Sequence, residues 1–450
     1  MRIPRIMLAA PSSGSGKTLI TCGILQALVN RGMNVASFKC GPDFIDPMFH
    51  ERVIGTRSGN IDMFMAGRDT ARYLFCRSAK DSDISVIEGV MGFYDGMGIA
   101  STEASSYDVS SELDIPVILV VNGRGASASI VPMIKGFADY RKNNIRGVIL
   151  NNTSEKVCEG LRGTIEKETG ITVIGYVPKV KELVIESRHM GLVMPHEVDM
   201  LKEKLNDLSE ILERTLDIDA VVRIAGSSAD IAYDAPVIER IPAKVRVAVA
   251  ADECFCFLYK ENVELLERLG AEITYFSPLR GKGLPAGISG IIIPGGYPEL
   301  YAESLSRNTE MLTDIRRCVS GGMPCMAEGG GFLYLHDELE DNGGEYRKMA
   351  GAVSGKAFRT GKISKFGYLS VTARNDGLME KGTTLRGHEF HYWDSTDCGG
   401  DCDSVKPSGA AQRCMHNEKN MFAGFPHLYY YSNPDAVRRF LTVCGSYRKG

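Results

Sequence analysis

Short apolar runs alternate along the chain with longer stretches whose apolar positions recur every three or four residues. Ile6–Ala10 is apolar throughout. Residues 17–31 follow with apolar positions at Leu19, Ile20, Cys22, Ile24, Leu25 and Leu28, which predicts a strand and then a helix ending at Asn30-Arg31-Gly32. Further strands are predicted at Met33–Phe38, Ile84–Ile87, Pro116–Val121, Arg146–Leu150 and Ile171–Ile174, with helices over 125–140 and 155–168. Pro116–Val121 is continuously apolar, as expected of a strand buried on both faces. Alternating strand and helix predicts an α/β fold with a mostly parallel sheet covered on both faces.

A second run of the same kind begins later. Glu197–Leu216 reads as a charged helix, and Ser227-Ser228 and the stretch from Pro236 to Pro242 read as connecting chain. Strands then follow at Val245–Ala250, Glu272–Phe276, Gly290–Ile293 and Met323–Ala327, with helices over 259–268 and 307–319. Residues 350–430 are richer in Gly, Thr and aromatics, which suits added antiparallel strands. The division expected is 1–226, a linker at 227–243, and 244–450.

Composition narrows the class. With 450 residues, 44% hydrophobic and 24% charged, the chain is that of an ordinary globular protein with ample core. A net charge of −4 gives no reason to expect nucleic acid or an anionic membrane as partner. No apolar run approaches the roughly 20 residues of a membrane span. Met1-Arg2-Ile3-Pro4 leads straight into a strand without a signal peptide, so a cytoplasmic location is expected. The 12 cysteines are spread along the chain, which suits reduced thiols.

The chemistry begins at the first strand–helix turn. Pro11-Ser12-Ser13-Gly14-Ser15-Gly16-Lys17-Thr18 points several backbone N–H groups and a helix N-terminus at one spot. Lys17 adds a mobile positive charge and Thr18 a hydroxyl suited to Mg²⁺, so the loop suits a nucleoside triphosphate, although Ala10–Thr18 lacks the glycine that usually opens a Walker A loop. Asp43, Asp46 and Glu88 each follow an apolar strand. Parallel strand order would gather them near Lys17, where carboxylates hold Mg²⁺ or orient a nucleophile; helix capping is the plainer reading of any one of them.

The stretches F-K-C-G-P-D-F-I-D-P-M-F-H (38–50), N-I-D (60–62), V-I-E-G-V-M-G-F-Y-D-G (86–96) and S-R-H-M-G-L (187–192) resemble the cobyrinate a,c-diamide synthase family. So do Asp252-Glu253, P-G-G-Y-P-E-L (294–300), G-H-E-F-H-Y (387–392) and the region of His427, so the likeness spans nearly the whole chain. The resemblance implies a P-loop, dethiobiotin-synthetase-like ATPase domain followed by a class I glutamine-amidotransferase-like α/β domain. It further implies ATP-dependent amidation of the a and c carboxylates of cobyrinic or hydrogenobyrinic acid through acyl phosphates. Ser12–Thr18 would then bind ATP, with Thr18, Asp46 and Glu88 holding Mg²⁺. Asp43, Asp46 and Glu88 would lie at the reacting carboxylate, and Arg188 and His189 would grip substrate. The partners implied are a tetrapyrrole and glutamine or ammonia, and a homodimer is compatible with the chain. The same motifs also fit a nickel-sirohydrochlorin a,c-diamide synthase. A reading of another class is a P-loop ATPase with a non-catalytic amidotransferase-like binding module.

In the second half the resemblance makes Gly295 and Gly296 the oxyanion-hole turn and His427 the catalytic histidine. The family pattern A-E-C-G-G would put the nucleophilic cysteine at 329, yet this chain reads Ala327-Glu328-Gly329-Gly330. Glycine cannot form a thioester with glutamine, so the glutaminase step is expected to be impaired. A natural ligase drawing on free or partner-supplied ammonia is the expectation; a replacement that traps bound glutamine is the alternative. Cys325 reads as a core residue. Cys398, Cys402, Cys414 and His416 lack the spacing of a structural zinc site and read as a surface insertion. His388 and His391 read as substrate-facing or structural.

Overall fold

The computed structural model describes residues 1–179 and 198–447. The chain forms two compact units, Met1–Pro236 and Val237–Gly450. No helix among the described residues is long and apolar enough to cross a membrane.

The first unit is built on a seven-stranded parallel sheet. Its strands are β1 (Arg5–Ala9), β2 (Val35–Cys40), β3 (Arg57–Ile61), β4 (Ile84–Glu88), β5 (Val117–Asn122), β6 (Ile145–Asn151) and β7 (Thr172–Val177), in the order β3-β2-β4-β1-β5-β6-β7. Helices α1 (Lys17–Asn30), α2 (Ile45–Phe49), α3 (Arg68–Ala79), α4 (Ser106–Glu112), α5 (Ile130–Asp139), α6 (Glu155–Thr169), α7 (Val198–Thr215) and α8 (Ile218–Gly226) connect or flank the strands. β1 is buried at every position, with Ile6 and Leu8 in the core shared with α1 and α7, and Met7 and Ala9 equally buried. In α7, Leu205, Leu208 and Leu212 follow helical spacing and are fully covered. They lie so close to α1 that a Cβ on Gly23 would stand 2.5 Å from Leu212 Cδ1.

The second unit carries a six-stranded sheet of order β20-β21-β11-β10-β8-β9. It is formed by β8 (Val245–Ala250), β9 (Ala271–Phe276), β10 (Gly290–Ile293), β11 (Cys325–Glu328), β20 (His416–Asn417) and β21 (Met421–Gly424), parallel except at β20. Helices α9 (Lys260–Leu269), α10 (Ala302–Arg307), α11 (Thr309–Ser320), α12 (Gly330–Leu335) and α13 (Pro434–Ser446) accompany it. The Gly- and aromatic-rich region makes a five-stranded antiparallel sheet. Its order is β19-β18-β15-β16-β22, from β15 (Lys365–Ala373), β16 (Thr384–His391), β18 (Cys402–Val405), β19 (Ala411–Cys414) and β22 (His427–Tyr429). A small sheet holds β12 (Glu338–Glu340), β13 (Tyr346–Lys348), β14 (Lys356–Arg359) and β17 (Trp393–Ser395).

Several elements depart from the sequence reading. β2 runs to Cys40 rather than ending at Phe38, which puts Lys39 inside a buried strand. β3 reads R-S-G-N-I and lacks an apolar run, because an edge strand is held by its ladder to β2. The helix expected over 125–140 begins at Ile130, and the one expected over 307–319 begins at Thr309 after an Asn308 cap, with the separate short helix α10 before it. Cys402 and Cys414 are a correction to the surface reading: they face each other across β18 and β19 and are buried, since strand alternation turns them inward while the Gly/Asp turn before them stays accessible.

Replacing Leu212 by Ala empties the contact between α1 and α7. The expected cost is about 2–5 kcal/mol, seen in chemical denaturation as an earlier unfolding transition of the full chain.

Candidate active site

The carboxyl edge of the first sheet gathers the predicted residues by register. In the parallel ladders Leu8 and Lys39 both lie beside Glu88, so the loops leaving β1, β2 and β4 open at one level. The loop from β1 passes through Gly14 and Gly16, both at positive φ. Gly16 is the N-cap of α1, and no side chain caps that end, so the first-turn N–H groups are left for a ligand. A Cβ on Gly16 would stand 2.2 Å from Asn151 Nδ2, and Asn151 Nδ2 donates to Ser15 O at 2.8 Å, so the loop closes only with glycine there. Ser12, Ser13, Gly14 and Thr18 are exposed, whereas Ser15 and Lys17 are covered.

The Lys17 ammonium donates to Met91 O at 2.5 Å. Met91 holds a left-handed backbone, φ 47°, within the 86–96 motif. Thr18 Oγ1 donates to Glu88 Oε1 at 2.6 Å. Glu88 is fully buried, and Lys39 Nζ donates to the same oxygen at 2.8 Å. Lys39 also pairs with Asp46, and lies 4.0 Å from Asp43 Oδ2. One oxygen of Asp43 caps α2 by accepting from Ile45 N at 2.8 Å, while Asn60 Nδ2 ties down the preceding turn through Gly41 O and Asp43 O. Asp43 therefore fulfils the plainer capping reading and still faces Lys39.

This is a dense buried charge cluster. Burial acts to lower Lys39, but Glu88, Asp46 and Asp43 outweigh it and hold the ammonium above the ordinary lysine range. Burial, reinforced by Asp46, pushes Glu88 up to about 7. Asp46, opposed by burial, is drawn below its ordinary value by Lys39. Lys17 is lowered by burial and then by Lys39. The oxygen set of Thr18, Asp46 and Glu88, with Thr18 Oγ1 beside Glu88 Oε1, has the donor chemistry that a hard divalent cation takes.

In the second unit β11 ends at Glu328 and turns into α12 at Gly329, whose φ 49° and ψ −115° form a strained elbow of the kind that carries a nucleophile. A Cβ there would stand 2.6 Å from His427 Cε1 and 2.8 Å from Nε2. One on Gly295 would stand 2.1 Å from the same Cε1, so the imidazole fills the space between the two glycines. Gly296, at φ 156°, backs onto Cys254 O. His388 lies opposite His427 in the ladder, with rings stacked 5.2 Å apart at 25°, and its Nδ1 is 3.2 Å from the Tyr259 hydroxyl. Burial first, and His391 next, lowers His427 to about 3, so the ring is neutral. Cys325 lies within β11, fully buried, with its thiol pushed up to about 12 by burial.

A profile described as a CobB/CobQ-like glutamine amidotransferase domain matches residues 246–434, and one described as an AAA domain matches residues 64–187. The protein named cobyrinate a,c-diamide synthase from Clostridium acetobutylicum is 38% identical over 445 residues, covering 97% of this chain and 99% of its own length. Its namesake from Picrophilus torridus is 39% identical over 455 residues, covering 99% of each. That of Salmonella typhimurium is 36% identical over 449 residues, covering 97% of each. The chain belongs to the cobyrinate a,c-diamide synthase family. It is thus an ATP-using carbon–nitrogen ligase of the amido-N-donor type, with an amidotransferase-type second unit.

Arg188 and His189 lie outside the described residues. The sequence candidates also omitted three groups that the fold brings to the first site: Lys39, the Met91 carbonyl and Asn151. Lys39 was visible in principle, because a lysine between Phe38 and Cys40 at the end of an apolar strand is rarely left unpaired.

Glu328, whose Oε2 accepts from Leu428 N at 3.2 Å, is pushed by burial from an ordinary value of 4.5 up to about 8. The folded state thus keeps a proton that the unfolded chain releases. The stability contributed by this group is complete below pH 4.5 and is lost as pH rises through about 8. Glu328→Gln, which retains an acceptor, is expected to flatten that decline, measured as urea midpoints across the window.

Proposed function

We propose that the chain amidates the a and c carboxylates of cobyrinic acid, or of its cobalt-free counterpart, with ATP as the activating substrate and ammonia as the attacking nucleophile. The observation that carries this reading is the meeting of Lys17, Thr18, Lys39, Asp43, Asp46 and Glu88 beside an uncapped helix N-terminus, in a chain alignable over nearly its full length with enzymes named for that reaction.

The α1 N–H groups and Lys17 take the phosphates, Lys17 leaving the Met91 carbonyl to do so. Thr18, Asp46 and Glu88 would hold Mg²⁺, which would supply charge neutralisation on the phosphates. Lys39 is placed to stabilise charge that develops on the transferred group. A carboxylate oxygen of the tetrapyrrole attacks the γ-phosphorus; the bond to the β-phosphate oxygen breaks, giving an acyl phosphate and ADP. Ammonia then adds to the acyl carbon, and inorganic phosphate leaves with the electron pair of the C–O bond. The ammonium proton passes to solvent or to a neighbouring carboxylate, leaving the amide. Arg188 and His189 remain proposed substrate contacts.

The nitrogen does not come from glutamine cleaved by this chain. Gly329 offers no thiol, and the His427 ring stands where a side chain at 329 would begin. This geometry supports a ligase fed with free ammonia, or with ammonia made by another protein. A P-loop ATPase with a non-catalytic amidotransferase-like binding module would instead hydrolyse ATP without forming amide.

Incubating the protein with ATP, Mg²⁺, cobyrinic acid and ammonium is expected to add two amides by mass, while glutamine in place of ammonium adds none. Robust glutamate release by the unaltered chain would overturn the ammonia reading. Lys17→Ala is expected to abolish amide formation with ammonium while leaving the thermal unfolding midpoint in place. Gly329→Cys is expected to confer glutamate release. The gain should come with a loss of stability of about 1–3 kcal/mol, because the new side chain must displace His427.

A further inference from the structure

His50 closes the 38–50 motif and has no part in the chemistry above. It is fully buried, one helical turn beyond Asp46, and its backbone N–H bonds to Asp46 O, so the two residues share a face. A short π-helical turn, His50–Ile54, begins with it, and Thr56 fixes it from behind, its N–H and Oγ1 both donating to His50 O. The groups facing the imidazole are Asp46, Lys39 and Glu88.

Among the described residues, neither ring nitrogen has a hydrogen-bond donor or acceptor within reach, and Glu88 Oε2 receives no N–H or hydroxyl. His50 Nε2 and Glu88 Oε2 stand 3.7 Å apart, just beyond hydrogen-bond distance. The Thr18 hydroxyl and the Lys39 ammonium both donate to Oε1, and the Asp46 carboxyl also contacts that of Glu88. Two buried polar groups that face each other unpaired imply another arrangement in which they pair. We propose that His50 is a positioning residue for Glu88, its Nε2–H donating to Oε2 when the Thr18 hydroxyl leaves Oε1 for the cation of the bound nucleotide. The exchange keeps the carboxylate aimed as its front-side donor is withdrawn. This inference rests on the ligase reading of the site.

The test is calorimetric binding of a non-hydrolysable ATP analogue to the full chain, with Mg²⁺ and with chelator. His50→Leu is expected to weaken binding about 10-fold in Mg²⁺, as loss of a ligand-orienting group does, and to leave binding in chelator unchanged. His50→Gln, whose amide reaches as far as Nε2, is expected to retain most of the affinity; His50→Asn, which is shorter, is not. In a Glu88→Gln background the effect of His50→Leu should vanish. Equal losses with and without Mg²⁺, or a loss undiminished in that background, would overturn the proposal and mark His50 as packing alone. Should His50→Leu fail to fold, the Gln and Asn variants carry the same comparison. If Glu88→Gln itself leaves Mg²⁺-dependent binding unchanged, the assignment of Glu88 falls first, an outcome distinct from a silent His50.

Discussion

Lys39 can lie buried at the carboxyl edge of the sheet because Asp46 and Glu88 meet its ammonium, and they meet it because the parallel register sets Lys39 beside Glu88. Removing any one of these charges would leave another stranded in a poorly solvated place. The arrangement is therefore held jointly by the strand order and by the attraction between its opposite charges. It also fixes the chemistry available there, since acceptor oxygens and a cation are presented together at the mouth of a glycine-rich loop.

The second unit solves burial differently. Its polar residues at the elbow are kept uncharged: His427 and His388 are driven towards neutral by burial, and Glu328 and Glu299 towards protonated. Stacked imidazoles, tight glycine contacts and the β16–β22 ladder define the shape. In the first unit, long-range attraction among ions organises the site; in the second, steric fit does.

Much of the fold was readable from apolar runs, because parallel strands buried on both faces leave an unbroken hydrophobic signature such as Val117–Val121. Elements with mixed composition were not, as with β3, α2 and α3, which are fixed by neighbours rather than by their own periodicity. The glycine-rich loop, the acidic residues and the altered elbow stood out as local motifs. The partnership of Lys39 with Glu88 did not, because it depends on which strands become neighbours, and sequence spacing carries no information about a β2–β4 adjacency.

The occupation of the elbow by His427 sets what any residue at position 329 must do. The imidazole lies against both Gly329 and Gly295, and a Cβ at position 329 would meet that ring at under 3 Å. A side chain can enter there only by turning the ring aside, so the room at the elbow belongs to His427 as much as to position 329.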